Sequence, residues 1–195
     1  MRRIFKGCCW AVATLVLSVS LYLFGIQYFG NFHEVVPGQL YRSSQPQTSQ
    51  LDSYVKRYGI RTVINLRGAN PAQGWYRDET SESTRLGVTH IDFRMSANEQ
   101  LSMERVDELV SIMRDAPKPI LIHCKAGADR SGLASALYLA RVMGAGEEVA
   151  ESQLSLRFGH ISLPHLSKAY AMDETWETVE QRLIPQDWMF AWKEP

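Results

Sequence analysis

Cys124 and Arg130 stand with five residues between them in the run His123-Cys124-Lys125-Ala126-Gly127-Ala128-Asp129-Arg130-Ser131. A thiolate is a strong nucleophile. A guanidinium offers a planar fork that matches two oxygens of a phosphate. Ala126, Gly127 and Ala128 lie between them, and such small residues let the backbone curl until successive N–H groups converge on one anion. This spacing predicts nucleophilic attack by Cys124 on a phosphoryl group bound by Lys125, Ala126, Gly127, Ala128, Asp129 and Arg130. Each residue also has an ordinary explanation. A lone cysteine is often a small buried apolar side chain. Arg130 reads as a surface arginine at a helix start, Ser131 as a helix N-terminal residue and His123 as a packed polar group. Those explanations leave the spacing unaccounted for, and the set favours catalysis.

The flanking elements position the loop. Ile120-Leu121-Ile122 reads as a buried strand, and residues 132–143, rich in Ala and Leu, read as a helix. A strand-loop-helix passage places the loop at the sheet edge where open α/β sheets bind ligands. The helix adds the positive end of its dipole there, a field that favours the Cys124 thiolate.

Elsewhere the pattern predicts short strands at residues 33–36 and 39–42 around the Pro37-Gly38 turn, then a helix from Thr48 to Arg57 that stops at Gly59. A buried strand follows at residues 61–66, a loop at 68–74 and a helix at 75–86 ended by Gly87. The remaining expectations are a strand at 88–95 and helices at 103–114, 146–156 and 164–182. Alternating strands and helices predict an α/β fold with a single central, mostly parallel sheet flanked by helices. Trp188 and Trp192 in the tail are expected to pack on the surface.

The chain has 195 residues, 45% of them hydrophobic and 22% charged, with zero formal net charge. That suits one folded domain and argues against a nucleic-acid partner, which a basic excess would signal. Cys8, Cys9 and Cys124 are the three cysteines. They supply neither a disulfide framework nor a zinc-ligand spacing, so neither metal nor cofactor is expected.

Residues 1–32 read separately from a catalytic domain at 33–195. Arg2, Arg3 and Lys6 precede a run without charged side chains through Phe32. Its apolar centre, residues 8–29, is long enough for a transmembrane helix across a core of roughly 30 Å. The positive-inside rule then puts the N-terminus in the cytoplasm and the domain outside, in the periplasm if the cell is bacterial. A cleaved signal segment is the competing reading.

The loop resembles the His-Cys-x5-Arg-Ser/Thr signature of the protein tyrosine and dual-specificity phosphatase superfamily. Leu40-Tyr41-Arg42-Ser43-Ser44-Gln45-Pro46, Thr62-Val63-Ile64-Asn65-Leu66-Arg67 and the Gly-Leu-Ala-Ser-Ala helix after Arg130 are similar to compact bacterial and plant-type members. The resemblance covers about residues 33–170 and implies a cysteinyl-phosphate intermediate formed on Cys124. It further implies transition-state stabilisation by Arg130, help from Ser131 as the thiolate leaves, and a tuning histidine, His123. Substrates would be a phosphorylated protein or a small phosphoester. Phosphotyrosine, phosphoserine/threonine and inositol phosphates all suit the loop, although Asp129 opposes Lys125 and so disfavours a highly charged inositol.

The resemblance also implies a general acid, an Asp upstream of the cysteine. Asp92 has a suitable count but falls within a strand pattern. The following loop holds Asn98 and Glu99, so Asp92 is the first candidate and Glu99 the alternative. Asp129 is a further carboxylate that would act on water or orient Arg130. Arg67 and Arg94 would line the mouth of the site, and Gln153 would position water or pack a helix. A sulfurtransferase loop would not need the Arg130-Ser131 pair. A phosphate-binding pseudophosphatase module without turnover is the alternative from another class.

Overall fold

Three strands of the sheet have no exposed residue. These are β2 (Leu40–Ser43), β3 (Thr62–Asn65) and β5 (Ile120–His123), each buried along its whole length, as expected of strands covered on both faces. With β1 (His33–Val36) and β4 (Thr89–Asp92) they form one sheet in the order β1-β2-β5-β3-β4. The four strands β2 to β5 run parallel, and β1 pairs antiparallel with β2 at the edge. The computed structural model describes residues 2–164 and 166–183.

Strand alternation divides the core. Tyr41, Val63 and Leu121 point to one face, against Leu51 of α2 (Thr48–Tyr58). That helix packs on α3 (Gly74–Leu86). Leu40, Ile64, Ile120 and Ile122 point to the other face. There they meet Leu109 and Met113 of α4 (Met103–Asp115), Leu137 of α5 (Asp129–Arg141) and Trp176 of α7 (Tyr170–Leu183). Helix α5 is buried without interruption from Ser131 to Ala140, so its Ala and small residues let it sit close to the sheet.

Register fixes the catalytic edge. Ser43 and Asn65 both lie opposite His123, and Asn65 also lies opposite Asp92. The last residues of four strands therefore form one row, from which β5 passes directly into Cys124.

Several boundaries differ from the sequence expectation. Strand β4 ends at Asp92, because the chain then turns toward Gly68, whose Cβ would stand 2.5 Å from Arg94 Cβ. Helix α6 spans only Glu147–Glu151. The chain leaves it early, and Gln153 turns its carbonyl and amide oxygens to Arg42. Helix α7 starts at Tyr170 rather than at residue 164. Ser167 Oγ accepts from Ala169 N and donates to Ile161 O, a local pattern that competes with helix formation. Trp188 and Trp192 lie outside the described residues.

Helix α1 covers Arg2–Tyr28. Among the described residues no helix is long and apolar enough to cross a membrane, so the transmembrane expectation for residues 1–32 finds no support in them. The last turns of α1 are taken up by the domain. Tyr22 Oη donates to Arg157 O at 2.5 Å, and Gln27 Nε2 to Ala126 O at 2.8 Å.

Candidate active site

Cys124 is buried at the start of the loop between β5 and α5. The Gly127 amide donates to its Sγ at 3.2 Å, and Ser131 Oγ lies 3.5 Å from it. Gly127 has φ +70°, and a Cβ there would stand 2.5 Å from the Ser44 nitrogen. Both its conformation and the close strand approach require glycine.

The loop is held by its carbonyl oxygens. Lys125 O accepts from Gln45 N at 3.3 Å. Ala126 O accepts from Gln27 Nε2 at 2.8 Å and from Asn31 Nδ2 at 3.0 Å. Gly127 O and Ala128 O accept from Arg42 Nη2 at 3.0 and 2.8 Å. In a trans peptide the C=O and the next N–H point opposite ways. Pulling four successive carbonyls outward therefore turns the amides of residues 126–129 inward. The Gly127–Sγ contact is one such amide observed. The result is the anion nest that the small residues predict.

Arg42 is fully buried in β2. Its Nη1 donates to Gln153 O and Oε1 at 2.8 and 3.1 Å, and its guanidinium stacks on Phe158 at 4.2 Å. Burial pulls its pKa down to about 10, against the opposing attraction of Cys124 and Asp129. It is still a cation at neutral pH. Gln153 thus serves Arg42.

A second buried charge supports His123. Glu79 on α3 is 2% exposed, with its carboxylate 3.1 Å from His123 Nε2 and 2.7 Å from His90 Nε2. Gln45 Nε2 donates to it as well. Burial pushes this carboxyl up, but His123 and His90 outweigh that and hold it at about 2.

Asp129 is the first residue of α5. His160 bridges it to Asp173, with Nδ1 2.8 Å from Asp129 and Nε2 3.0 Å from Asp173. Burial lowers the His160 pKa, yet the two carboxylates override it and raise it to about 9. The imidazolium offsets the Asp129 charge and ties the loop to α7.

Arg130 Nη1 faces Leu66 O and Met95 O, each at 3.4 Å. It opens into a cavity of about 500 Å³ lined by Arg67, Arg94, Met95, Ser96, Ala97 and Glu99. Of the two acid candidates, Glu99 lines this cavity and Asp92 does not. Asp92 lies one strand beyond Asn65, and both its oxygens accept hydrogen bonds. Asn65 Nδ2 reaches Oδ1 at 2.8 Å and Tyr76 Oη reaches Oδ2 at 2.5 Å. That bond pushes the Tyr76 phenol up to about 12. Lys125 is exposed.

Sequence reasoning missed Arg42 as a loop clamp, Glu79, Gln27 and Asn31. One signal existed for Arg42: a charged residue within the otherwise uncharged segment Leu40–Ser43. Helix α3 is polar along most of its length, so nothing marks Glu79 among its neighbours.

The geometry is that of a phosphate loop with a thiol nucleophile, and comparison with known proteins agrees. Residues 30–179 match the family described as Swiss Army Knife protein, DSP-PTPase phosphatase domain. The chain belongs to this family and is a cysteine-dependent phosphatase of the dual-specificity class. The solved structure of TpbA from P. aeruginosa is similar in fold, with TM-score 0.53 at 20% identity, covering 79% of this chain and 91% of that one. The catalytic core of the PP-IP phosphatase SIW14 from S. cerevisiae gives TM-score 0.57 at 20% identity, over 80% and 94% of the two chains. PTPMT1 gives 0.57 at 18% identity, over 77% and 97%. No curated protein matches the sequence.

Proposed function

We propose that this chain hydrolyses phosphomonoesters in two steps at Cys124. In the first, Sγ forms a bond to phosphorus as the ester oxygen leaves, and the Glu99 carboxyl gives that oxygen its proton. In the second, water attacks phosphorus, its proton passes to Glu99, and the S–P bond breaks with Ser131 Oγ donating to the departing sulfur. Arg130 and the inward amides bind the equatorial oxygens, where charge stabilisation contributes most to such reactions. The observation that carries this reading is the outward fixing of four successive loop carbonyls around a buried thiol.

The test is hydrolysis of para-nitrophenyl phosphate, lost in Cys124→Ser and inhibited by vanadate. Binding of phosphate esters without turnover by the unmodified protein would instead identify a pseudophosphatase module. Protein phosphotyrosine or phosphoserine/threonine is the first substrate reading. A phosphorylated inositol is the second, and a specific observation bears on it: Asp129, the residue that opposed such a substrate, is paired with His160, which it shares with Asp173.

Membrane attachment through the N-terminal segment belongs to the same proposal. It is supported by Arg2, Arg3 and Lys6 ahead of an uncharged run, and by the exposure of Trp10, Val12, Leu15, Val16 and Leu17 on α1. The domain would then face away from the cytoplasm. A C-terminal reporter active only outside the cytoplasm tests this, and activity of a cytoplasm-only reporter reverses the topology.

A further inference from the structure

Glu79 brings a carboxylate into the core beneath the phosphate loop, and three side-chain groups converge on it. Its side chain is 1% exposed, on the otherwise polar helix α3. His90 Nε2 stands 2.7 Å from it and His123 Nε2 3.1 Å, and Gln45 Nε2 donates to it. Burying a carboxylate is costly unless charge and hydrogen bonds compensate. Here the compensating partners lead to the nucleophile. His123 precedes Cys124 in the chain, and the backbone N–H of Gln45 holds Lys125 O, the next carbonyl of the loop.

A carboxylate only accepts hydrogen bonds, so His123 carries a proton on Nε2. The other ring nitrogen, Nδ1, is buried and has no hydrogen-bond partner among the described residues. A second proton, on Nδ1, is therefore favoured by charge alone. Glu79 supplies that charge, and with side chains 0% and 1% exposed the pair is little screened by water. Among the described residues no other charged group around the thiol bonds to His123. Arg42 on β2 and Arg67 after β3 feel the charge on Cys124, and Arg130 stands on α5. Asp129 is paired with His160. On the far side of Glu79, His90 of β4 contends for the same carboxylate, and Arg67 and Tyr76 lie within electrostatic reach of it.

We propose that Glu79 is a positioning residue for the nucleophile: its carboxylate keeps His123 as an imidazolium, and that cation, one residue from Cys124, favours the thiolate. This rests on the phosphatase reading of Cys124. Glu79 acts through His123. Without the carboxylate, His123 becomes a neutral ring at neutral pH, and the thiol keeps its proton to higher pH. A carboxylate that merely tied α3 to the sheet would leave the titration of the thiol where it is.

The test is the pH profile of iodoacetamide alkylation of Cys124 in the full-length protein. It is read by mass on the peptide carrying Cys124, which separates it from Cys8 and Cys9. Only the thiolate reacts, so the midpoint of the profile is that of the thiol. Only alkylation suppressed by inorganic phosphate is counted, because an unfolded loop gains no protection. Glu79→Gln is expected to raise the midpoint by about one pH unit or more. His123→Gln should raise it as far, and the double substitution no further than either single one. Glu79→Asp keeps the charge and should fall between Glu79→Gln and the unmodified protein. An unmoved midpoint in Glu79→Gln overturns the proposal, as does a double substitution whose shift is the sum of the two. Where Glu79→Gln does not fold, His123→Gln decides, since an unmoved midpoint there breaks the route from Glu79 to the thiol. Failure of the phosphatase reading appears separately, as absence of para-nitrophenyl phosphate turnover by the unmodified protein, a measurement the alkylation profile does not use.

Discussion

Arg42 Nη2 stands 2.8 Å from the carbonyl oxygen of Ala128 and reaches the phosphate loop from its buried side. One guanidinium also holds Gly127 O and both oxygens of Gln153. A lysine has a single compact ammonium and cannot span those acceptors. Arg42→Lys is expected to lower kcat on para-nitrophenyl phosphate by about tenfold or more, since loop amides that drift lose their aim. Arg42→Met leaves buried carbonyls unpaired, at about 1–3 kcal/mol each, and should lower the urea midpoint clearly. Unchanged kcat in both variants would remove the clamp from the mechanism.

Asn31 and Gln27 share one loop acceptor, Ala126 O, but from different settings. Asn31 is 2% exposed and also donates to Phe158 O at 2.8 Å, whereas the Gln27 contact lies at the surface. Asn31→Ala should therefore destabilise the domain by about 1–3 kcal/mol, and Gln27→Ala by less than about 1 kcal/mol. Thermal or urea unfolding of the two variants checks the order. A larger loss from Gln27→Ala contradicts it.

Two buried charges set the pH limits of stability. Glu79 is held at about 2, below its ordinary 4.5. Its contribution, on the order of 3 kcal/mol, is present above 4.5 and is lost as pH falls toward 2. His160 is raised to about 9 from 6.5, so its contribution is present below 6.5 and is lost as pH rises through 9. Glu79→Gln should flatten the acid limb of the stability profile, and His160→Gln the alkaline limb. Urea midpoints measured from pH 3 to pH 10 decide this, and either limb surviving its substitution counts against that assignment.

The loop that gathers Cys124, Gly127 and Arg130 was legible because it is local: the three lie in one short stretch of chain between β5 and α5. The parallel core was legible for a similar reason, since β3 carries the β-branched Thr62-Val63-Ile64 and β5 the apolar Ile120-Leu121-Ile122. The supports were not. Arg42 reaches across 85 residues to Gly127, Gln27 across 99 to Ala126 and Glu79 across 44 to His123. No local pattern encodes such contacts. The ends of α6 and α7 were misplaced because Gln153 and Ser167 satisfy the backbone and side chains of other segments, which helix propensity ignores.

The general acid shows how a count along the chain differs from a position in space. Asp92 has the expected separation from Cys124, yet it ends β4 with both oxygens occupied as acceptors by Asn65 and Tyr76. A general acid must instead carry a proton and reach the leaving oxygen. Glu99 lines the cavity above Arg130. Proton donation matters most for poor leaving groups, so Glu99→Gln should slow an alkyl or phenyl phosphate by about 100-fold or more. It should slow para-nitrophenyl phosphate far less. Asp92→Asn should affect both substrates alike, through the packing of Tyr76 and Asn65. The deciding measurement is the slope of log kcat against leaving-group pKa. A steeper slope in Asp92→Asn and an unaltered slope in Glu99→Gln would move the acid back to Asp92.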